Sequence, residues 1–402
     1  MTSNLARCCG VFLVSLSLIS CGTVSKFKES ASLKDFVSGK FSGKTPEDTG
    51  ILSTSYSPKT TIETIWSKKI GKGADNLYLN LKPTIIGAYL YVASKDGQLA
   101  AIDTSNGSTI WEIHDKNITY TSAPGSGDGM VLMGTGDGRV IARNAKTGKL
   151  RWVARVSSEV LAAPQAFNNV TVTRTGDGKL YGLRSETGEE LWNYDRTVPS
   201  LTLRGNAAPV ISGNNVYAGF DSGRFVALDL KTGQAKWDSP LAIASGRSDL
   251  ERMVDVDSEP TVLRDTVFAA SFNGGVSAIS TLDGTIKWTR EISSFAGISV
   301  GGNLVYVTDA DGAIWALNTA TGASVWKKET LEERYPTGPT YYNGKVIISD
   351  YEGYTYWMDA KNGDFISKQR FDKSRVLSKA LNASDMAIIF SSQGRVTATR
   401  AP

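Results

Sequence analysis

From residue 60 onward, short runs of alternating apolar and polar residues recur between glycine-bearing turns. The run Leu99-Ala100-Ala101-Ile102 sets Leu99 and Ala101 against Ala100 and Ile102, the period of two that predicts a β-strand. An Asp96-Gly97 turn precedes it, and Asn106-Gly107 with Trp111 follows. Asp-Gly favours a tight hairpin because glycine tolerates positive φ and the aspartate can bond nearby backbone amides. The same sentence is written again at Asp137-Gly138 with Trp152, Asp177-Gly178 with Trp192, Asp221-Ser222-Gly223 with Trp237 and Gly274-Gly275 with Trp288. Asp311-Gly312 with Trp326, Glu352-Gly353 with Gly363, and Gln393-Gly394 continue it. Aligned on the first glycine, the copies begin at Gly97, Gly138, Gly178, Gly223, Gly275, Gly312, Gly353 and Gly394, separated by 41, 40, 45, 52, 37, 41 and 41 residues. A period near forty with four short strands per copy predicts an all-β, eight-bladed β-propeller.

The tryptophans give the blades their cohesion. In six copies Trp lies four residues past the glycine of the second turn. Wedged between blades, each would bury roughly 150–250 Å², or about 4–6 kcal/mol gross at about 25 cal/mol per Å². In the penultimate copy Ser367 stands where Trp is expected, beside Phe365 and Ile366, which predicts a looser junction. The ends are complementary. Trp66 has no Asp-Gly hairpin before it, while the copy at Gly394 stops after its third strand, at Arg400. The strand around Trp66 is therefore expected to complete the last blade and close the ring, removing exposed edges.

The first sixty residues read differently. Arg7 and the apolar stretch 10–20 precede Leu18-Ile19-Ser20-Cys21, which resembles the lipobox of bacterial lipoproteins. The stretch is too short to span a bilayer. Residues 1–20 are expected to be a signal peptide and Cys21 the lipid-bearing N-terminus, with acyl chains such as palmitate contributing about 0.8 kcal/mol per buried methylene. Gly22, rather than Asp, follows the cysteine, and the resemblance to bacterial lipoproteins therefore implies the outer membrane. Residues 21–60, rich in Lys, Ser, Thr and Gly, read as a flexible tether, and residues 61–402 as the propeller. All three cysteines lie within the first 21 residues, so the remainder offers no disulfide, thiolate nucleophile or cysteine metal site. A net charge of +4 without a Lys/Arg block argues against nucleic acid.

Two connections stand out by length. From Trp to the Pro opening the next blade, Trp111–Pro124 and Trp152–Pro164 span 13 and 12 residues, whereas Trp192–Pro209 and Trp237–Pro260 span 17 and 23. Two long loops should thus leave adjacent blades on one face, where a rigid scaffold displays binding chemistry. They carry Pro199-Ser200-Leu201-Thr202-Leu203-Arg204-Gly205 and Arg252-Met253-Val254-Asp255-Val256-Asp257. Leu201 and Leu203 offer apolar contact or fold back to cap the face. Arg204 offers a forked donor, and Asp255 and Asp257 either brace Arg204 or Arg252 or meet a basic partner.

The repeats resemble those of the pyrroloquinoline-quinone (PQQ) propeller superfamily. With the lipobox and both loop motifs, the arrangement resembles the BamB family, lipoproteins of the outer-membrane β-barrel assembly machinery, over nearly all of residues 60–400. This resemblance implies a non-enzymatic scaffold without cofactor or metal, anchored to the outer membrane, facing the periplasm and aiding insertion of outer-membrane proteins. It implies that Leu201, Leu203, Arg204, Asp255 and Asp257 contact the periplasmic domains of the central barrel-inserting subunit. It also implies strand addition as a way of holding unfolded barrel segments, which this sequence does not itself display.

Two other functions share parts of this pattern. Quinoprotein dehydrogenases share the repeat but hold quinone and Ca²⁺ beside an adjacent-cysteine disulfide, and here Cys8-Cys9 falls in the signal segment. His114 is the sole histidine, so a multi-histidine metal site lacks its parts, and a surface imidazole is expected. The clusters Gly127-Asp128-Gly129 and Gly134-Thr135-Gly136 read as turns, since no helix follows to bind phosphate. A carbohydrate-binding or adhesive propeller would need Trp315, Trp357 or Tyr341, Tyr342, Tyr351, Tyr354 and Tyr356 on its surface, yet most of these fall inside strands.

Overall fold

A computed structural model describes residues 58–402 apart from 76, 200, 204–206 and 250. They belong to one compact unit, Ser42–Pro402. The described residues form strands and turns, with no helix among them.

Each sequence copy folds as a four-stranded antiparallel meander. The first comprises Thr84–Ile86, Tyr89–Ala93, Gln98–Asp103 and Thr109–His114, in that order across the sheet. The following meanders open with short strands at Gly125–Gly127, Gln165–Phe167, Val210–Ser212, Thr261–Leu263, Ile298–Gly301 and Thr340–Tyr342. The last opens with Leu381–Ala383, contributes Met386–Phe390 and Arg395–Arg400, and takes Glu63–Lys69 as its fourth strand. That pairing is antiparallel, with Trp66 opposite Ala398 and Lys69 opposite Arg395. One cluster holds Trp66, Ile70, Leu81, Leu90 and Val92 together with Met386, Ile388, Phe390 and Val396, so the first and last meanders share a core.

Burial follows position in the meander. Second strands such as Met130–Gly134 are buried throughout, whereas the fourth strand Leu150–Arg155 alternates, presenting Trp152 and Ala154 inward. The opening strands lie side by side in succession from Thr84–Ile86 to Leu381–Ala383. Two of them, Gly125–Gly127 and Gln165–Phe167, are bridged in parallel from Ser126 to Gln165. A Cβ on Gly125 would lie 1.6 Å from the Pro164 carbonyl oxygen, so only glycine permits the approach.

The Gly and Trp of the repeat meet across neighbours. Trp111 packs on Gly148 of the next meander, with its ring 2.9 Å from where a Cβ would stand, and donates its indole N–H to the Ala145 carbonyl at 2.9 Å. Trp66, Trp152, Trp192, Trp237, Trp288 and Trp326 repeat this on Gly107, Gly188, Gly233, Gly284, Gly322 and Gly363. Their donors reach the carbonyls of Thr104, Ser185, Leu230, Thr281, Thr319 and Ala360. Within its own sheet each faces a small residue, as Trp111 faces Ala101 and Trp192 faces Gly182.

The junction at Ser367 differs from expectation. Instead of a loose contact, the pair is inverted. Trp357 on the third strand faces Ser367 on the fourth, and both are buried. Trp357 packs with Phe371, Val376, Ile62 and Ile389, filling the seam with the last meander. The reason is local. The last meander draws its third and fourth strands from opposite ends of the chain, so it has no turn glycine or turn carbonyl there to receive an indole. Accordingly, the Trp357 N–H has no hydrogen-bond partner.

Candidate functional site: the long-loop rim

Because a meander reverses at every turn, the connection entering its first strand and the turn between its second and third strands share one rim. Both long connections and the Asp221-Ser222-Gly223 turn therefore lie together. The loops touch: the backbone N–H of Leu203 donates to the Asp255 carboxylate. Leu201 stands 43% exposed, while Leu203 is half-buried. Ile243, at the start of the second loop, is 80% exposed.

The second loop is braced from within. Glu251 accepts backbone N–H groups from Arg247 at 2.7 Å and Ser248 at 3.0 Å, and Arg252 pairs with Asp249. Met253, Val254 and Val256 are buried. Val256 N–H donates to the Phe220 carbonyl at 3.2 Å and Phe272 N–H to the Asp255 carbonyl at 2.8 Å, which ties the segment to the fourth and fifth meanders. Of the bracing partners considered for Asp255 and Asp257, Arg252 is taken by Asp249, and Arg204 lies outside the described residues, as does Cys21.

Beneath Leu203 the two aspartates join a cluster that the sequence motifs did not contain. Ligand oxygens of Asp221, Asp255 and Asp257 lie within 4.8 Å of one another. Arg174 sits among them, its side chain only 4% exposed, paired to Asp221 and with Nη1 3.9 Å from Asp257. Its guanidinium also lies 5.7 Å from the Phe220 ring centroid. One cation thus serves three carboxylates. The three oxygens suit a hard cation in type, but the guanidinium occupies that role. The remaining charge shows in the acidities. Burial pushes the Asp257 carboxyl up to about 8, against the pull of Arg174 and with a push from Asp221 and Asp255. Burial likewise raises Asp255 to about 6, although the Leu203 amide favours its ionised form. Neither Asp257 oxygen has a hydrogen-bond partner.

Arg174 carried a signal in the sequence. At the end of the second strand, the other copies place Ala93, Gly134, Gly219, Ala270, Thr308, Ser349 and Phe390, none of them charged. A single arginine in that column marks a place where a buried charge is needed. Elsewhere the rim of the chemistry is bland: exposed His114 meets only the Asp96 carbonyl, at 2.9 Å. Trp357, Tyr342 and Tyr356 are buried, which withdraws them as stacking surfaces.

Comparison with known proteins now adds to this geometry. Residues 115–328 match the family model described as outer membrane protein assembly factor BamB. The chain is 31% identical over 400 residues to the outer membrane protein assembly factor BamB of Xanthomonas campestris, covering 97% of this chain and 96% of that protein. It is 33% identical to the protein of that name from Escherichia coli K12, covering 85% and 91% respectively. Among solved structures, BamB from Moraxella catarrhalis superposes with a TM-score of 0.78 at 24% identity, covering 85% of this chain and all of that one. The quinohemoprotein alcohol dehydrogenase of Comamonas testosteroni superposes with a TM-score of 0.67 at 13% identity, covering 84% and 76%, a likeness of fold.

Proposed function

Because the chain belongs to the family of the outer-membrane protein assembly factor BamB, and so serves assembly at the outer membrane as one component of a complex, we propose that it acts there as a non-catalytic scaffold. The body is an eight-bladed propeller closed through its first and last strands. The antiparallel pairing of Glu63–Lys69 with Arg395–Arg400 and the shared core beside it support this. Cys21 carries the lipid and holds the protein on the outer membrane's periplasmic face. The periplasmic domains of the central barrel-inserting subunit dock on the long-loop rim. There Leu201 and Leu203 give apolar contact and Arg204 a charged one, while Asp255 and Asp257 act from below by setting the loop's position.

The observation that carries this reading is the bond from Leu203 N–H to Asp255, because it locks two loops from neighbouring meanders into one rigid surface. Preformed surfaces bind without the ordering cost that flexible loops incur. The non-catalytic reading is supported by the relatives' name.

Replacing Leu201 and Arg204 together with alanine should weaken binding to the partner's purified periplasmic domains at least a hundredfold, at about 2 kcal/mol or more for a central anchor. Thermal unfolding should stay unchanged, since Leu201 is exposed. Undiminished binding in a calorimetric titration would defeat the assignment of this rim. Separately, Cys21→Ala should move the protein from the membrane to the soluble fraction on ultracentrifugation, and an unchanged membrane fraction would count against the lipid anchor.

A further inference from the structure

One position of the repeat breaks its own rule three times. Two residues before the one paired to the middle of the second strand, the copies carry Lys82, Ala123, Ala163, Ala208, Glu259, Gly297, Gly338 and Lys379. Five are alanine or glycine. The three charged ones meet: Lys82 Nζ lies 2.6 Å from Glu259 Oε2, and Lys379 Nζ lies 3.5 Å from the same oxygen. Lys379 also reaches the Ile298 carbonyl at 3.4 Å.

Their origins make this contact unusual. Lys82 enters the first meander, Lys379 the last and Glu259 the fifth, on opposite sides of a succession of first strands. A first-to-fifth contact between residues at that rim must cross the space those strands enclose. Small residues in the other five copies leave room for the crossing. The space itself reaches Glu259, since a cavity of about 380 Å³ is bounded by Ser126, Gln165, Phe167 and Ile211 together with that glutamate. The three side chains are 19%, 34% and 23% exposed, so the pair is partly shielded from solvent screening. Against the raising effect of desolvation, Lys82 and Lys379 hold the Glu259 carboxyl down at about 2.

Glu259 is also the residue at which the second long loop ends, directly after Asp255-Val256-Asp257-Ser258. We propose that Lys82, Glu259 and Lys379 form a cross-ring clasp that pins the end of this loop to the opposite side of the ring, making Glu259 a positioning residue for partner docking. The proposal rests on the docking role of the loop given above. Ser258 and Pro260 flank Glu259 with buried side chains, and the hydrogen bonds of Asp255 and Val256 tie the preceding residues only to the fourth and fifth meanders, whereas Glu259 reaches the first and last.

The test uses the full-length lipoprotein and the partner's periplasmic domains. Glu259→Lys, which sets three cations together, should weaken binding about tenfold or more and raise amide exchange across residues 252–257, while strand amides elsewhere keep their protection. Combining Glu259→Lys with Lys82→Glu restores one carboxylate and two ammonium groups at the same three positions, and should recover most of the affinity and protection. A merely local role for Glu259 predicts no such rescue, so a permuted double variant as weak as the single one overturns the clasp. Parental affinity in Glu259→Lys overturns it too. Should Glu259→Lys fail to fold, Glu259→Gln with the same exchange measurement decides: unchanged protection at 252–257 overturns the clasp. If Leu201 and Arg204 prove dispensable for binding, the docking assignment falls instead, and the exchange result alone judges the clasp.

Discussion

Trp192→Ala should destabilise the protein by about 3–5 kcal/mol, the range for deleting a large aromatic from a packed interior. The indole lies over Gly182 in its own sheet and Gly233 in the next, and donates to the Leu230 carbonyl at 2.9 Å. Neither glycine can grow into the gap, so the cavity persists and a carbonyl loses its donor. A repeat architecture spreads the damage to nearest neighbours first. Denaturant titration should therefore show an earlier midpoint, and hydrogen exchange should place the loss in the third and fourth meanders. A stability change under about 1 kcal/mol would contradict the assignment of the tryptophans as the main cohesive element. The glycines should respond in parallel, because a side chain at Gly233 must displace the Trp192 ring 2.6 Å away.

The second large effect belongs to Arg174. Arg174→Met removes the cation from three buried carboxylates, and breaking a buried ion pair in this way typically costs about 3–5 kcal/mol. The loss should depend on pH with a definite sign. Asp255 and Asp257 titrate higher in the folded protein than in an unfolded chain, near 6 and 8. Folding therefore favours their protonated forms. The stability they contribute is present in full below about pH 4 and is lost as pH rises through those two values. Taking away Arg174 pushes both acidities further upward, so the gap between parent and variant should be smaller near pH 5, where the loss of the Asp221 pair remains, and widest near pH 9. Thermal midpoints measured across that range read the slope directly, and a gap independent of pH would rule the coupling out. Asp257→Asn should flatten the parent's own decline over pH 6–9, since the amide has no proton to lose.

The periodic features of the molecule were open to reading from residues alone, and the aperiodic ones were not. Asp-Gly turns, strand alternation and the Gly-to-Trp spacing each have one dominant physical cause, and every copy became one meander. The Trp66 strand was legible because its chemistry lacked a host within its own stretch of chain. The spacing at Ser367 predicts a looser junction because it counts along one strand, whereas the indole here stands on the facing strand, at Trp357. The loop motifs located the rim through their length. What they could not reveal was depth. Asp255 is fully buried and its carboxylate serves Leu203 N–H. Asp221 reads in the sequence as a turn residue, and its turn function coexists with its pairing to Arg174. The Lys82, Glu259 and Lys379 column was equally invisible, because each residue lies in a different copy and the contact exists only once the copies are arranged in space.

The pairing of Glu63–Lys69 with Arg395–Arg400 also sets an order in time. Ser67 and Thr397, whose hydroxyls lie 3.0 Å apart, are 330 positions distant along the chain. A strand made among the first seventy residues must wait, unmated, until the strand at Arg395–Arg400 has been synthesised. Contacts of such separation are reached late in folding. Until then Trp66 and its neighbours are an adhesive end, and chaperone cover for that short window would matter more here than for any interior meander.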